Sequence, residues 1–327
     1  MMAVPHRGVW GGHMRRTVIS SAFVLVLLAL LAAAGGALAA PGAAAGAPSR
    51  ILLVRMGSWS HPSHIWSVAP DGSGLRRLTP RDSNDYAPTW SPDHTAIAYI
   101  HRGGGKTSLW RMKAGGSHRR RIAYSGPSLT RSATSLAWSP DGKSIAGGVR
   151  VSKSNPYRLA ITVLDLATRK SRRVGTIDWA MTLTSVDWSP DSRKLLFCTM
   201  TADPYLVCIL DVATGDIERR DVGGYHASWS PDGTHFLVSA FMDESSGLWP
   251  PYQYQVEVRD SAGWYEATLF GADYAGAYSY SPDGSLCAYT AGNNSRDRLY
   301  VQSTDGTGDP HVVRTWKSGF THNLVWK

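Results

Sequence analysis

From about residue 50 onward, apolar residues occur in short runs separated by clusters of Gly, Pro, Asp and Ser. Runs such as AIAYI, KLLFCTM and HFLVSAF have the length and the β-branched and aromatic content of strands. The chain also has 13 Trp and 14 Tyr against 6 Phe, which favours a β-rich protein that repeats one aromatic position. The pattern therefore predicts an all-β protein made of many short strands.

One turn recurs along the chain. Trp followed by Ser-Pro-Asp begins at residues 90, 138, 188 and 229, and Tyr280 begins a fifth copy. Successive aromatic positions are 48, 50, 41 and 51 residues apart. This period is typical of one propeller blade of four antiparallel strands. In each unit the first strand ends at the aromatic residue, the turn follows, and three further strands complete the blade.

The two ends of this region complement each other. Residues 51–79 supply the second, third and fourth strands of a unit that lacks its first strand. THNLVWK, near the carboxyl end, supplies a lone first strand that ends at Trp326. We therefore expect a six-bladed β-propeller of four-stranded blades, closed by strand exchange between the C-terminal strand and the N-terminal blade.

The repeated residues are expected to be structural, because an active-site aspartate has no reason to recur around a ring. Pro presets φ at the second turn position, and Gly takes the left-handed conformation that closes the hairpin. His94 and Ser192 replace that Gly in two copies. The aromatic ring is expected to wedge between neighbouring blades. The repeat positions are Trp90, Asp93, Trp138, Asp141, Trp188, Asp191, Trp229, Asp232, Tyr280, Asp283 and Trp326.

The segments AWSPDGKSIA and SWSPDGTHFLVSA resemble the WD40-like PD40 repeats of TolB-type β-propellers. The resemblance extends over nearly the whole chain after the leader. TolB-type proteins carry an α/β domain ahead of the propeller, and nothing comparable lies between the leader and Ile51, so roles of that domain are not implied. Related propeller peptidases add an α/β-hydrolase domain, and no G-x-S-x-G elbow is present, which disfavours that class.

The amino-terminal segment is typical of export. Arg15 and Arg16 precede a long apolar run, and Ala37-Leu38-Ala39 fits a signal-peptidase site. We expect a signal peptide over residues 1–39, a flexible Ala/Gly/Pro tether over 40–49 and the propeller over 50–327. The general secretory route is favoured over the twin-arginine route. An uncleaved anchor helix is the alternative, and it would be the protein's only attachment to a membrane.

Charge and cysteines add little specific chemistry. The formal charge of +9 becomes +6 once Arg7, Arg15 and Arg16 of the leader are removed, and HRRR at residues 118–121 is interpreted as a solvated hairpin rather than a nucleic-acid site. The excess of Arg over Lys and the abundant Ala are typical of a GC-rich bacterial genome. Cys198, Cys208 and Cys287 lack metal-ligand spacing. Cys198 and Cys208 could form a disulfide across a hairpin, or both could be buried thiols.

The candidate binding residues lie on the propeller face opposite the repeated turns. There, the links between blades and the loops between second and third strands are long and irregular, and such loops usually carry function. The candidates are Trp59, Asp85, Tyr86, Tyr225, His226, Trp249, Tyr252 and His322. The same loops contain His61, His64, Asp243, Glu244, Asp273 and Tyr274. Trp249 and Tyr252 fit either a partner-binding patch or a loop packed on its own blade.

Two classes of function remain. The first is an exported, non-catalytic binding or scaffold module for a protein, peptide or glycan at the cell envelope, whether periplasmic or extracellular, monomeric and without a cofactor or nucleic-acid partner. The second is a metal-assisted or carbohydrate-active enzyme that uses the channel mouth. His226 and His322 would be the metal ligands in that second case, but they stand at different offsets from their aromatic residues, which argues against a shared site. The sequence favours the first class.

Overall fold

The regular elements of the computed structural model are all strands. The structure describes residues 49–56, 62–130, 133–151, 157–178, 180–201, 205–220, 222–241, 254–272, 275–293 and 296–327. Within these ranges, 24 strands form six antiparallel sheets of four strands each. No helix in the described part of the chain is long and apolar enough to cross a membrane.

Each sheet is one blade. Blade 1 contains β24 (Phe320–Trp326), β1 (Ile51–Met56), β2 (Ser63–Val68) and β3 (Arg76–Arg77). Blade 2 contains β4 (Asn84–Trp90), β5 (Ala96–Gly103), β6 (Lys106–Lys113) and β7 (Arg120–Arg121). Blade 3 contains β8 (Leu136–Trp138), β9 (Ser144–Arg150), β10 (Arg158–Asp165) and β11 (Lys170–Asp178). Blade 4 contains β12 (Ala180–Trp188), β13 (Lys194–Thr201), β14 (Leu206–Asp211) and β15 (Ile217–Arg220). Blade 5 contains β16 (Gly224–Trp229), β17 (His235–Phe241), β18 (Tyr254–Asp260) and β19 (Tyr265–Ala272). Blade 6 contains β20 (Ala275–Tyr280), β21 (Leu286–Asn293), β22 (Arg296–Ser303) and β23 (His311–Trp316).

The six-bladed all-β architecture predicted from the repeat is confirmed. The first strand of each blade contacts the first strand of the next, from β24 through β4, β8, β12, β16 and β20 and back to β24. In blade 1, β24 runs antiparallel to β1, with Trp326 opposite Ile51 and Phe320 opposite Met56. The two ends of the described chain therefore share one sheet.

The hydrophobic core lies between the blades. Trp188 of blade 4 belongs to a buried cluster that includes Ile161 of blade 3 and Phe197 of its own blade. Trp326 of blade 1 is likewise grouped with Leu299 of blade 6 and Leu53 of blade 1. Burial of a large aromatic side chain is worth several kcal/mol, about 3–5 kcal/mol when judged by truncation to alanine. The aromatic residues thus supply much of the attraction that holds neighbouring blades together.

The Ser-Pro-Asp turns are closed by their own side chains. The Ser139 hydroxyl donates to Asp141 Oδ1 at 2.6 Å, and the same oxygen accepts the Lys143 amide at 3.0 Å. The residue after Asp has a positive φ whether it is Gly142 at 75°, His94 at 56° or Ser192 at 60°. Glycine tolerates this conformation best, so His94 and Ser192 carry backbone strain.

The disulfide hypothesis for the hairpin of blade 4 is wrong. Cys208 lies opposite Phe197, and Cys198 lies opposite Val207. Since successive side chains of a strand point to opposite faces, this offset of one residue sends the two thiols to different sides of the sheet. Both are free, and burial raises the pKa of Cys198 to about 12 and that of Cys208 to about 11. Cys287 is also a buried free thiol.

Candidate functional site

The two ends of the blades offer different chemistry. The turn face, formed by the Ser-Pro-Asp turns and the turns between third and fourth strands, has its carboxylates engaged locally. The Ser91 hydroxyl and the Thr95 amide, for example, hold the pKa of Asp93 below its ordinary value. The variable face is formed by the links into the first strands and the loops between second and third strands, parts of which lie outside the described residues. The described candidates lie where first strands begin: Asp85 and Tyr86 in β4, Tyr225 and His226 in β16, and His322 in β24.

β-Bulges interrupt the innermost strands near the variable face. The pairing register shifts between Gly224 and Ala227 in blade 5 and between Ala275 and Tyr278 in blade 6. A similar shift in blade 1 leaves Asn323 as an extra residue, with a φ of 56°. Bulges change the direction in which side chains point and are frequent next to functional sites. They determine how Tyr225, His226 and His322 are presented.

Two tyrosines, Tyr205 of blade 4 and Tyr225 of blade 5, pack against each other at the variable face. Tyr225 is 41% exposed, and its ring meets the edge of the Tyr205 ring at a centroid distance of 5.5 Å. Partial burial, with a smaller contribution from Tyr205, raises the pKa of the Tyr225 hydroxyl, so it is neutral at physiological pH. Tyr225 therefore presents an amphipathic ring whose hydroxyl can exchange hydrogen bonds with a ligand, while the Tyr205 hydroxyl donates to Met200 Sδ at 3.4 Å.

His226 follows Tyr225 in β16 and packs against Tyr278 of blade 6. Its ring meets the Tyr278 ring edge-on at 4.6 Å, and the Tyr278 hydroxyl donates to the His226 carbonyl. Burial lowers the pKa of His226 to about 4, and its Nδ1 is buried without a hydrogen-bond partner. The half-buried imidazole is therefore neutral at physiological pH.

His322 has a similar environment on β24. Burial lowers its pKa to about 4, and its Nε2 is also buried and unpartnered. The described residues contain no group of three or more His, Cys, Asp or Glu side chains that could hold a metal ion. The structure thus does not bring His226 or His322 into a set of that kind.

Asp85 and Tyr86 are anchored within blade 2. Asp85 is 1% exposed and accepts hydrogen bonds from the Ser83 hydroxyl and from His101 Nδ1, the latter at 2.7 Å. The order Ser–Asp–His differs from a catalytic triad, in which histidine contacts the serine nucleophile, so it does not activate Ser83. Tyr86 is buried, and the Arg102 guanidinium lies 5.3 Å from the centroid of its ring.

The sequence did not reveal Arg55, which joins blades 1 and 6 at the variable face. Its guanidinium pairs with Asp297 at 3.2 Å, donates to the Thr321 hydroxyl at 3.0 Å and lies 4.2 Å from the centroid of the Trp316 ring. Burial raises the pKa of Asp297 despite these contacts. The partners are too far apart in the chain for any local sequence pattern to associate them.

Several candidates fall outside the described residues. They are Trp59, His61, Asp243, Glu244, Trp249, Tyr252, Asp273 and Tyr274. The described part of the site consists of the exposed Tyr225 with half-buried Tyr205, the half-buried histidines His226 and His322, and the polar group around Arg55.

Similarity to known proteins agrees with this architecture. The Tol-Pal system protein TolB 1 of Novosphingobium aromaticivorans is 40% identical over 76 residues, which is 22% of this chain and 15% of that protein. The crystal structure of TolB from Acinetobacter baumannii matches with a TM-score of 0.66 at 20% identity, over 85% of this chain and 66% of that chain. The fold is that of a TolB-type β-propeller.

A second solved structure supports the same fold. Putative TolB from Agrobacterium tumefaciens matches the TolB-like propeller with a TM-score of 0.58 at 16% identity, over 86% of this chain and 99% of that chain. No protein-family profile matches the chain. Because this chain covers only 15% of its curated relative's length, the likeness establishes the propeller and not an activity.

Proposed function

We propose that this TolB-like propeller is a non-catalytic binding or scaffold module of the cell envelope and that its variable face holds a protein, peptide or glycan partner. The observation that carries the proposal is the exposed ring of Tyr225 on the variable face, packed against the half-buried ring of Tyr205. Its relatives named TolB include one named as a Tol-Pal system protein, which favours a protein partner among the three.

Tyrosine suits this role physically. It provides a large contact area with only two side-chain torsions to fix, and its hydroxyl can pair with a partner's polar groups. Tyrosine is accordingly enriched among the residues that dominate binding energy at interfaces. The contact with the Tyr205 ring also restricts the side-chain torsions of Tyr225, which reduces the conformational entropy lost when a partner binds.

The remaining parts of the proposal follow from the sequence. Residues 1–39 would direct export, residues 40–49 would serve as a tether, and the propeller would act as a monomer in the periplasm or outside the cell. Trp59, Trp249 and Tyr252 would extend the binding surface around the mouth.

Affinity capture from the native cell envelope tests the binding role. Wild-type propeller should retain one partner in stoichiometric amount, and Tyr225→Ala should reduce that retention about tenfold or more, as expected for an interface hot spot. Trp264→Ala is the matched control, because Trp264 is 76% exposed at the β18–β19 turn on the other face. Equal losses from both variants, or none from Tyr225→Ala, would contradict the proposal.

A further inference from the structure

A second surface lies on the turn face, away from the channel mouth. A cleft of about 540 Å³ opens along β5, β6 and β7 of blade 2. Its lining contains four basic side chains, Arg111, Lys113, His118 and Arg120, and no acidic one. Thr95, Ala96 and Met112 complete the lining.

Two of the basic residues of this cleft form a cross-strand pair of like charge. Arg111 on β6 lies directly opposite Arg120 on β7, and like charges in that relationship destabilise a sheet. Among the ion pairs of the described residues, none involves Arg111, Lys113, His118 or Arg120. Asp93 attracts Arg111 electrostatically, and hydrogen bonds from Ser91 and Thr95 favour its ionised form. One carboxylate thus stands near three cationic side chains, Arg111, Lys113 and Arg120, and the cleft retains a net positive charge.

Comparison of the blades shows that Arg111 departs from the repeat. The strand registers place it at the position of Val163 in blade 3, Ile209 in blade 4 and Val301 in blade 6. Those three side chains are buried in the clusters that also contain the aromatic residue of the following blade. Blade 2 has an arginine where these blades have an apolar contact, and such local exceptions to a repeat are expected at functional sites.

The seam between blades 2 and 3 is correspondingly open. Trp138 is half-buried, whereas the other five repeat aromatics are buried. Its Nε1 donates to Gly142 of its own turn at 3.2 Å, whereas Trp188 Nε1 reaches back to Ala137 of the preceding blade at 3.1 Å. The Arg111 guanidinium lies 5.7 Å from the Trp138 ring centroid, where the other blades named above place an apolar side chain against the next aromatic residue.

We propose that this cleft is an anion site that binds a phosphate group, either free or as a phosphate monoester. Two facing guanidinium groups can each offer paired N–H donors to phosphate oxygens, and Lys113 and His118 add further donors around the rim. A bound dianion would also remove the repulsion between Arg111 and Arg120. This site is independent of the partner proposed for the variable face.

Calorimetric titration with inorganic phosphate and with glycerol 3-phosphate, at low ionic strength, tests the site. Wild-type protein should bind with a stoichiometry of one, and Arg120→Gln should weaken binding about tenfold. Arg172→Gln is the matched control: Arg172 lies opposite Val163 in blade 3, as Arg120 lies opposite Arg111, and its loss changes the net charge equally. Tighter binding of glycerol 3-phosphate than of phosphate would identify an ester as the ligand.

A second variant separates the site from general electrostatics. Arg111→Val installs the residue that blade 3 carries at this position, so the variant should remain folded while phosphate binding is lost. Absence of saturable binding to the wild-type protein would overturn the proposal. Equal weakening by Arg120→Gln and Arg172→Gln, or full binding by a folded Arg111→Val variant, would overturn it as well.

Discussion

Gly142 closes the turn of blade 3 at a φ of 75°, in the same position at which His94 and Ser192 carry side chains. A Cβ added to Gly142 would meet Pro92 Cγ at 3.8 Å, an ordinary van der Waals distance. The backbone conformation, and not lack of space, is therefore what favours glycine at this position. This turn geometry positions Asp141 Oδ1 to accept hydrogen bonds from the Ser139 hydroxyl and the Lys143 amide.

Gly142→Ala should lower the free energy of unfolding by about 1 kcal/mol, because alanine pays the left-handed penalty that glycine avoids. The shift of the urea midpoint measures this cost. Gly115→Ala is the control, since Gly115 does not have a positive φ and its Cβ would have room. A loss of stability as large in Gly115→Ala would show that the conformation is not the cause.

At the scale of the element, side-chain to backbone hydrogen bonds connect the first strands of neighbouring blades. The residue before the aromatic position accepts the backbone amide of the aromatic residue in the next blade. Thr89 accepts from Trp138 at 3.1 Å, Ser279 from Trp326 at 3.1 Å, and Asp187 from Trp229 at 2.9 Å. Asp187 also accepts from the Trp188 amide and the Ser228 hydroxyl, while burial raises its pKa.

Asp187→Ala should lower the free energy of unfolding by about 2–3 kcal/mol, because three part-buried donors lose their acceptor. Asp187→Asn keeps one acceptor oxygen and should cost less than half as much. Chemical denaturation of the two variants beside wild type provides the measurement. Equal costs would mean that the carboxylate's charge, and not its acceptor capacity, stabilises the junction.

How much the sequence predicts is also clearest at this scale. The blades were predictable, because the Ser-Pro-Asp turn is local and its spacing counts the strands between copies. The bulges at Tyr225 and Asn323 were not, since they depend on register against a partner strand. The disulfide hypothesis failed for the same reason: a hairpin between Cys198 and Cys208 was expected, but the strand pairing is offset by one residue, which places the thiols on opposite faces. The cleft at Arg111 was not predictable either, because it depends on which residues of β5 and β7 lie opposite Arg111.

At the scale of the whole molecule, two half-buried histidines couple folding to pH. His226 and His322 have folded-state pKa values of about 4, below the ordinary value of 6.5, because burial disfavours the imidazolium. Between those values the unfolded chain binds more protons than the folded chain. Stability is therefore fully present above pH 6.5 and falls as the pH approaches 4.

The double variant His226→Gln, His322→Gln should flatten this dependence. Wild type should lose on the order of 1–3 kcal/mol per histidine between pH 7 and pH 4 relative to the variant, from the size of the pKa shifts. Unfolding midpoints in urea across this range supply the comparison, and subtraction cancels the opposing effect of Asp187 and Asp297, whose pKa values are raised. Parallel curves for the two proteins would exclude the histidines as its source.

The pairing of β24 with β1 has a consequence for how the protein is made. During synthesis β1 can pair with β2 at once, but its other edge stays open until β24 has been made, after all the other strands of the propeller. Closing a loop of this length is entropically costly and slow, and it leaves an unpaired strand edge exposed meanwhile. Blade 1 is thus the last to be completed, although β1, β2 and β3 precede the strands of the other five blades in the chain. A molecular chaperone that covers the open edge of β1 until β24 has been synthesised would protect such a chain from aggregation.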